Sequence, residues 1–178
     1  MRPEKTRMPK KTKRTGKTRT SRVVELPVAG WREWVGLPSL GVDRIKAKID
    51  SGARTSAIHA YKIRLFPDRG APHVSFILHP EQRRAKPAID CVAEIRDERM
   101  VRSSNGLLQC RYVIEVDVSL GGRTWPIELT LADRDQMGFR MLLGREAVRR
   151  RFLIDTNRSY LAGFSYADVT TVLPERTD

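Results

Sequence analysis

Two short motifs carry the residues best placed for chemistry. The first is Asp50-Ser51-Gly52-Ala53, which follows Ile45-Lys46-Ala47-Lys48-Ile49, a run that reads as a strand. A carboxylate at a strand end can accept hydrogen bonds from backbone amides. A glycine lets the chain turn closely behind it, and Ser51 can bond to a neighbouring loop. Such a carboxylate can exchange protons with a water or a substrate. Asp-Ser-Gly alone is a common turn. The second motif is Met141-Leu142-Leu143-Gly144-Arg145, an apolar strand ending in Gly-Arg before a short helix.

Other candidate chemistries find less support. Ser56 and His59 lack a Gly-x-Ser-x-Gly elbow and an obvious orienting acid, so a Ser-His nucleophile is not expected. His59, His73 and His79 have no His-Glu-x-x-His spacing, and Cys91 and Cys110 lack close partners, which argues against zinc and for reduced thiols. Gly16-Lys17-Thr18 resembles the end of a phosphate-binding loop, but Lys11 stands where its first glycine should be and no strand precedes it. ATP binding is not expected.

The elements that must position Asp50 are short apolar, β-branched runs punctuated by Gly, Pro, Asn and Asp, the pattern of an all-β domain. Strands are expected at 32–36, 44–49, 56–65, 74–78, 91–96, 111–120, 124–131, 140–143 and 152–155. Gly121-Gly122 marks a tight hairpin. Pro126 belongs at a sheet edge or bulge. Pro67, Pro72, Pro80 and Pro87 suggest loops around one short strand, able to form a mobile cover. The one helix is expected over 145–151. Trp31, Trp34 and Trp125 read as core or dimer-interface residues.

The 178 residues suit one domain, 23–160, with a polar tail over 161–178. The net charge of +13 is concentrated in residues 1–22, where ten Lys/Arg face the single Glu4. That tail has no apolar periodicity and is expected to be disordered. It could hold nucleic acid or an acidic partner, or serve simply as a solvated arm. No stretch has the roughly twenty apolar residues of a membrane span, nor the pattern of a secretory signal, so a soluble cytoplasmic protein is expected.

Together the two motifs resemble those of retropepsins, single-lobe aspartic proteases in which Asp-Thr/Ser-Gly-Ala is followed downstream by two apolar residues, Gly and often Arg. The similarity extends to Trp31-Arg32-Glu33-Trp34-Val35-Gly36-Leu37-Pro38, to the run from Ala47 to Ala60, to Val101-Arg102-Ser103-Ser104-Asn105-Gly106 and to Arg111-Tyr112-Val113-Ile114. These blocks resemble the RimK-related family labelled ATP-dependent zinc proteases and described as retropepsin-like. The resemblance implies a closed acid-protease-like β-barrel with one short helix and Asp50 as the reacting group. Ser51, Gly52, Ala53, Leu142, Leu143, Gly144 and Arg145 would support the catalytic loop. Zinc and ATP are implied by the family label alone.

Aspartic proteolysis uses two carboxylates sharing one proton. With one Asp-Ser-Gly, the resemblance implies a homodimer contributing Asp50 twice. A monomer would need Asp133, Asp135 or Asp155 as the second acid. Arg54 replaces the acid that often follows the motif in retropepsins, so Arg145 must pair elsewhere. The family also implies partnership with ATP-grasp ligases that append glutamate. Arg54, Arg99, Arg102, Arg111 and Arg134, with Ser56 and Ser103, are the candidate contacts to an acidic peptide; the arginines could instead pair with Glu94, Asp97, Glu115 and Asp133. The competing readings are a non-catalytic peptide binder or ligase regulator of the same fold, and a nucleic-acid binder acting through the basic tail.

Overall fold

The computed structural model describes residues 25–68, 70–82, 84–102, 106, 108–132 and 138–162. Eleven strands and one short helix follow one another among them: β1 (Val28–Gly30), β2 (Arg32–Leu37), β3 (Val42–Asp50), β4 (Ser56–His59), β5 (Tyr61–Asp68), β6 (Ala71–Leu78), β7 (Ile89–Arg102), β8 (Leu108–Leu120), β9 (Arg123–Ala132), β10 (Met141–Gly144), α1 (Arg145–Val148) and β11 (Leu153–Asp155). The chain is thus mostly β, consistent with an acid-protease-like fold. None of the described helices is long and apolar enough to cross a membrane.

Nine strands form one sheet in the order β2-β3-β10-β4-β9-β8-β7-β6-β5, and β1 pairs with β11 in a separate parallel pair. A further bridge, Gly36 to Ser119, joins β2 to β8, so the pairings link six strands in a ring. Glycine is required at that bridge, because a Cβ on residue 36 would lie 2.4 Å from Ser119 Oγ and 2.9 Å from the Asp43 carbonyl oxygen. Alternate residues of each strand fill the interior. Val35, Leu37, Ile45, Ala47, Ile58, Ile114, Leu129, Leu131, Met141 and Leu143 are all fully or almost fully buried. Each large aliphatic contributes about 1.5–3 kcal/mol of burial free energy.

The hairpin expected at Gly121-Gly122 is present. Both glycines have positive φ, and Leu120 faces Arg123. Pro126 faces Asp117 of β8, while β4 pairs with β9 only from Leu129 onward, so the proline occupies a stretch with an open second edge. Three expectations change. The strand expected over 56–65 breaks at Ala60 into β4 and β5. The proline-rich region holds a regular hairpin, β5 with β6, in which Pro67 and Pro72 face each other near the turn. Proline is tolerated there because Pro67 is on β5, the outer strand of the sheet, and Pro72 precedes His73, where the pairing of β6 with β7 begins. The helix ends at Val148, three residues short of expectation, and Arg150 has φ of 60°. Residues 1–22 and, of the tail expected over 161–178, residues 163–178 lie outside the described residues.

Candidate active site

Strand β3 delivers Asp50 to the site. Ile45, Ala47 and Ile49 point inward and fix the register, leaving Asp50 half-buried at the strand end. The chain then turns so that Gly52 N–H and Ala53 N–H both donate to Asp50 Oδ1, at 3.0 and 3.2 Å. A Cβ on Gly52 would stand 3.3 Å from the same oxygen, tight enough to push the carboxylate aside. One carboxylate oxygen is therefore held by backbone while the other is left for chemistry outside the loop.

Behind this loop runs β10, parallel to β3 with Gly144 beside Asp50 and Leu143 beside Ile49. On its other side β10 pairs with β4. Its end is bonded to the loop three times: Gly144 N–H donates to Ser56 Oγ at 3.1 Å, Arg145 N–H to the Ala53 carbonyl at 2.9 Å and Glu146 N–H to the Arg54 carbonyl at 3.2 Å. The opening amides of α1, which no earlier turn can satisfy, thus find acceptors in the loop. Arg145 also donates through Nη1 to the Gly52 carbonyl at 3.3 Å, which is the alternative partner that the sequence required of it. Gly144 has to be glycine: a Cβ there would lie 2.6 Å from Thr55 C and 2.7 Å from the Arg54 carbonyl oxygen. Trp125 Nε1 bonds the Ala147 carbonyl at 3.0 Å and ties α1 to the core. Ser51, Gly52, Ala53, Leu142, Leu143, Gly144 and Arg145 therefore all lie in or against the Asp50 loop.

The residues expected to contact an acidic substrate are more dispersed. Ser56 is buried, its hydroxyl accepting from Gly144 N–H, while Thr130 Oγ1 bonds its carbonyl. Arg54 is exposed beside the loop. Arg99 binds Glu128 with both Nη atoms at 2.6 and 2.7 Å, reaches Asp97 at 2.6 Å and touches Thr55 Oγ1 at 3.4 Å. This guanidinium ties the β7–β8 hairpin to β9 and to the chain just after Asp50. It holds the Glu128 carboxyl below the usual carboxylate range. Arg102 bonds the Gly106 carbonyl at 3.1 Å. Arg111 is buried, which depresses its basicity; Nη2 bonds Gln109 Oε1, and Nε has no hydrogen-bond partner among the described residues. Ser103 and Arg134 lie outside the described residues, as do Asp133 and Asp135. Asp155 accepts from Asn157 N–H, Arg158 N–H and Arg158 Nε, so its carboxylate is engaged in a local turn.

Ser56 and His59 sit three apart on β4 and so project to opposite faces, which removes them as a nucleophile pair. Among the described residues no three His, Cys, Asp or Glu side chains converge as a metal site. Cys91 is buried and Cys110 exposed, and neither is in a disulfide.

Sequence reasoning missed two features. Glu33 is a buried carboxylate whose Oε1 accepts from Gly30 N–H (2.6 Å), Leu161 N–H (2.7 Å) and Ala162 N–H (3.1 Å). It joins β1 to the segment after β11; burial raises its pKa in spite of these bonds. The second is a cationic and aromatic face on β2 and β3. Arg44, Lys46 and Lys48 alternate in phase with Asp50, with Arg32 opposite Lys48 and Trp34 opposite Lys46. The alternating cations of Arg44-Ile45-Lys46-Ala47-Lys48-Ile49-Asp50 were the available signal.

With this geometry in hand, the likenesses to known proteins can be placed. A protein of Shewanella halifaxensis named probable alpha-L-glutamate ligase is 50% identical over 136 residues, covering 76% of this chain and 30% of the relative. One of the same name from Parasynechococcus marenigrum is 45% identical over 136 residues, covering 29% of the relative. The chain thus spans under a third of the length of these relatives. A crystal structure of a Legionella pneumophila protein of unknown function superposes with a TM-score of 0.64 at 20% identity, covering 76% of this chain and 98% of that one, a likeness of fold. Residues 28–165, which span the Asp50 loop, β10 and the ring of strands, match a family described as retropepsin-like aspartic endopeptidase RimB, and the chain belongs to this RimB-like family.

Proposed function

We propose that the protein is an aspartic peptidase or amide hydrolase acting on glutamate-rich tails, with an active unit made of two chains that each contribute Asp50. The observation that carries this reading is the Asp50 loop, with one carboxylate oxygen fixed by Gly52 and Ala53 amides and the loop wedged against Gly144. In the paired site the ionised carboxylate takes a proton from water as the water oxygen attacks the scissile carbonyl carbon. The protonated carboxyl donates its hydrogen bond to the carbonyl oxygen. The tetrahedral intermediate then collapses, the C–N bond breaks, and the amine leaves with a proton from the dyad. The second carboxylate comes from the partner about a two-fold axis, in a closed barrel of the retropepsin type.

Glutamate tails are favoured because relatives that contain a segment like this chain are named probable alpha-L-glutamate ligase, and a hydrolase of glutamate tails would oppose that reaction. An ATP-grasp ligase is accordingly the expected partner. The same names favour a second reading, in which the domain binds the tail or regulates the ligase without cleaving. Incubating the protein with peptides that end in α- or γ-linked glutamates, followed by mass spectrometry, separates the two. Hydrolysis by the wild-type chain and none by Asp50→Asn supports the peptidase; no hydrolysis of either linkage supports the binding module.

A further inference from the structure

The outward face of β2 and β3 has a composition unlike the rest of the sheet. Lys48, Lys46 and Arg44 occupy successive outward positions of β3, in phase with Asp50, while Ile45, Ala47 and Ile49 face the core. On β2, Arg32 stands across from Lys48 and Trp34 across from Lys46. Trp34 is 39% exposed. The Arg44 guanidinium lies 4.5 Å from its ring centroid and Lys46 Nζ 5.4 Å, and Tyr160 stacks beside it at 5.9 Å. A guanidinium held by its flat face against an aromatic ring keeps its N–H edge free for a carboxylate. Among the described residues, none of Arg44, Lys46 and Lys48 has an ion-pair partner.

Two hollows lie along this face and share Lys46 and Gln82. One, of about 410 Å³, is bordered by Arg32, Lys46, Gln82 and Phe139, with no carboxylate in its wall among the described residues. The other, of about 520 Å³, lies by Trp34 and Arg44 and includes Asp43 and Glu81, of which Glu81 is already paired with Arg84 at 3.1 Å. Among the described residues the face is therefore cationic along its length, with Asp43 and Glu81 its nearby acids.

We infer that this face is a binding track for an extended, α-linked run of acidic residues leading to Asp50. The repeat is the argument. Same-side residues on a strand recur every ~6.6–6.8 Å, and so do same-side carboxylates of an extended glutamate chain. Lys48, Lys46 and Arg44 thus match alternate glutamates one for one, with Asp50 one further repeat along. A γ-linked chain has a longer backbone repeat and loses this register. The direction of the track toward a scissile bond rests on the peptidase reading, whereas the binding itself does not.

The test uses Asp50→Asn protein as a non-cleaving background and fluorescently labelled peptides ending in two or six α-linked glutamates, with a six-residue γ-linked tail for comparison. Lys46→Gln with Lys48→Gln should weaken binding of the α-linked six-residue tail by roughly tenfold, as expected for the loss of two partly exposed ion pairs. The two-residue tail should lose much less. Trp34→Ala, which removes the plate under Arg44, should weaken the long tail again. Unchanged affinity in the double lysine variant overturns the inference. So does tighter binding of a single-stranded RNA oligonucleotide at the same residues, or a change in oligomeric state in that variant, which would make the face an interface between copies. Cleavage by the wild-type chain is scored separately: binding at the track without cleavage removes the peptidase and leaves the track, and cleavage with a KM insensitive to Lys46 and Lys48 does the reverse.

Discussion

Replacing Gly144 with alanine should unlock the strand that supports the Asp50 loop. The new methyl group would stand 2.6, 2.7 and 2.8 Å from Thr55 C, the Arg54 carbonyl oxygen and the Thr55 carbonyl oxygen, where ordinary contact begins at 3.4 Å. All three atoms are backbone, so no side chain can swing away. Either β10 or the 54–55 segment must move by about 0.6–0.8 Å, and overpacking of this kind costs about 1–3 kcal/mol. The movement stretches the bonds from Gly144, Arg145 and Glu146 amides to Ser56, Ala53 and Arg54, each worth about 1 kcal/mol. The backbone of residue 144 is compatible with alanine, with φ of −69°, and the stiffer unfolded chain returns about 0.4–1 kcal/mol. A net loss of about 4 kcal/mol follows, which in a domain of this size lowers Tm by about 12 °C. Urea and thermal unfolding read it directly. A loss below about 1 kcal/mol would refute the claim that β10 is wedged against the loop. Gly52→Ala offers the contrast, since its methyl meets only Asp50 Oδ1 at 3.3 Å: stability should hold while hydrolysis falls.

Glu33→Ala leaves one buried and two half-buried amides without their acceptor and should cost about 2–3 kcal/mol, whereas Glu33→Gln keeps an oxygen there and should cost much less, both measured by urea unfolding. Because burial raises the Glu33 pKa, its contribution is full below the ordinary carboxylate pKa and is lost as pH rises through the folded value, so the Gln variant should flatten that part of the stability profile. Glu128 behaves oppositely: Arg99 lowers its pKa, so its contribution is present above the ordinary value and is lost as pH falls through the depressed one. With both partners partly exposed, Arg99→Met should remove no more than about 1 kcal/mol, read from the pH dependence of unfolding. Thiol labelling at neutral pH should modify Cys110 rapidly and spare Cys91, whose thiol burial pushes up to about 11; equal rates would contradict the buried position of Cys91.

The legible parts of the molecule were those where one local rule decides the outcome. Gly121-Gly122 specified its hairpin because two consecutive residues had to take positive φ. Asp50 and Gly144 stand out as a pair only through the resemblance of their two motifs to those of retropepsins. The β5–β6 hairpin is hidden by its prolines, which are harmless only because Pro67 is on the edge strand and Pro72 lies before the β6–β7 pairing begins. Arg99 and Ser56 carry suitable groups, but their partners Glu128 and Gly144 are set by sheet packing rather than by sequence spacing. The cations of β3 were within reach: their alternation in phase with Asp50 is a property of the sequence, yet they were read only as a strand. Glu33 offered no such signal, since two of the three donors to its carboxylate, Leu161 and Ala162, lie far along the chain.

The central claim is that hydrolysis needs Asp50 from two chains. It is tested most directly by mixing wild-type and Asp50→Asn chains at fixed total concentration, allowing subunits to exchange, and measuring cleavage of a glutamate-tailed peptide. If both carboxylates are required, an equal mixture retains about a quarter of the all-wild-type rate, because only that share of random dimers carries two Asp50 side chains. A rate that stays proportional to the wild-type fraction, at about one half, would show that each chain works alone and would contradict the paired site.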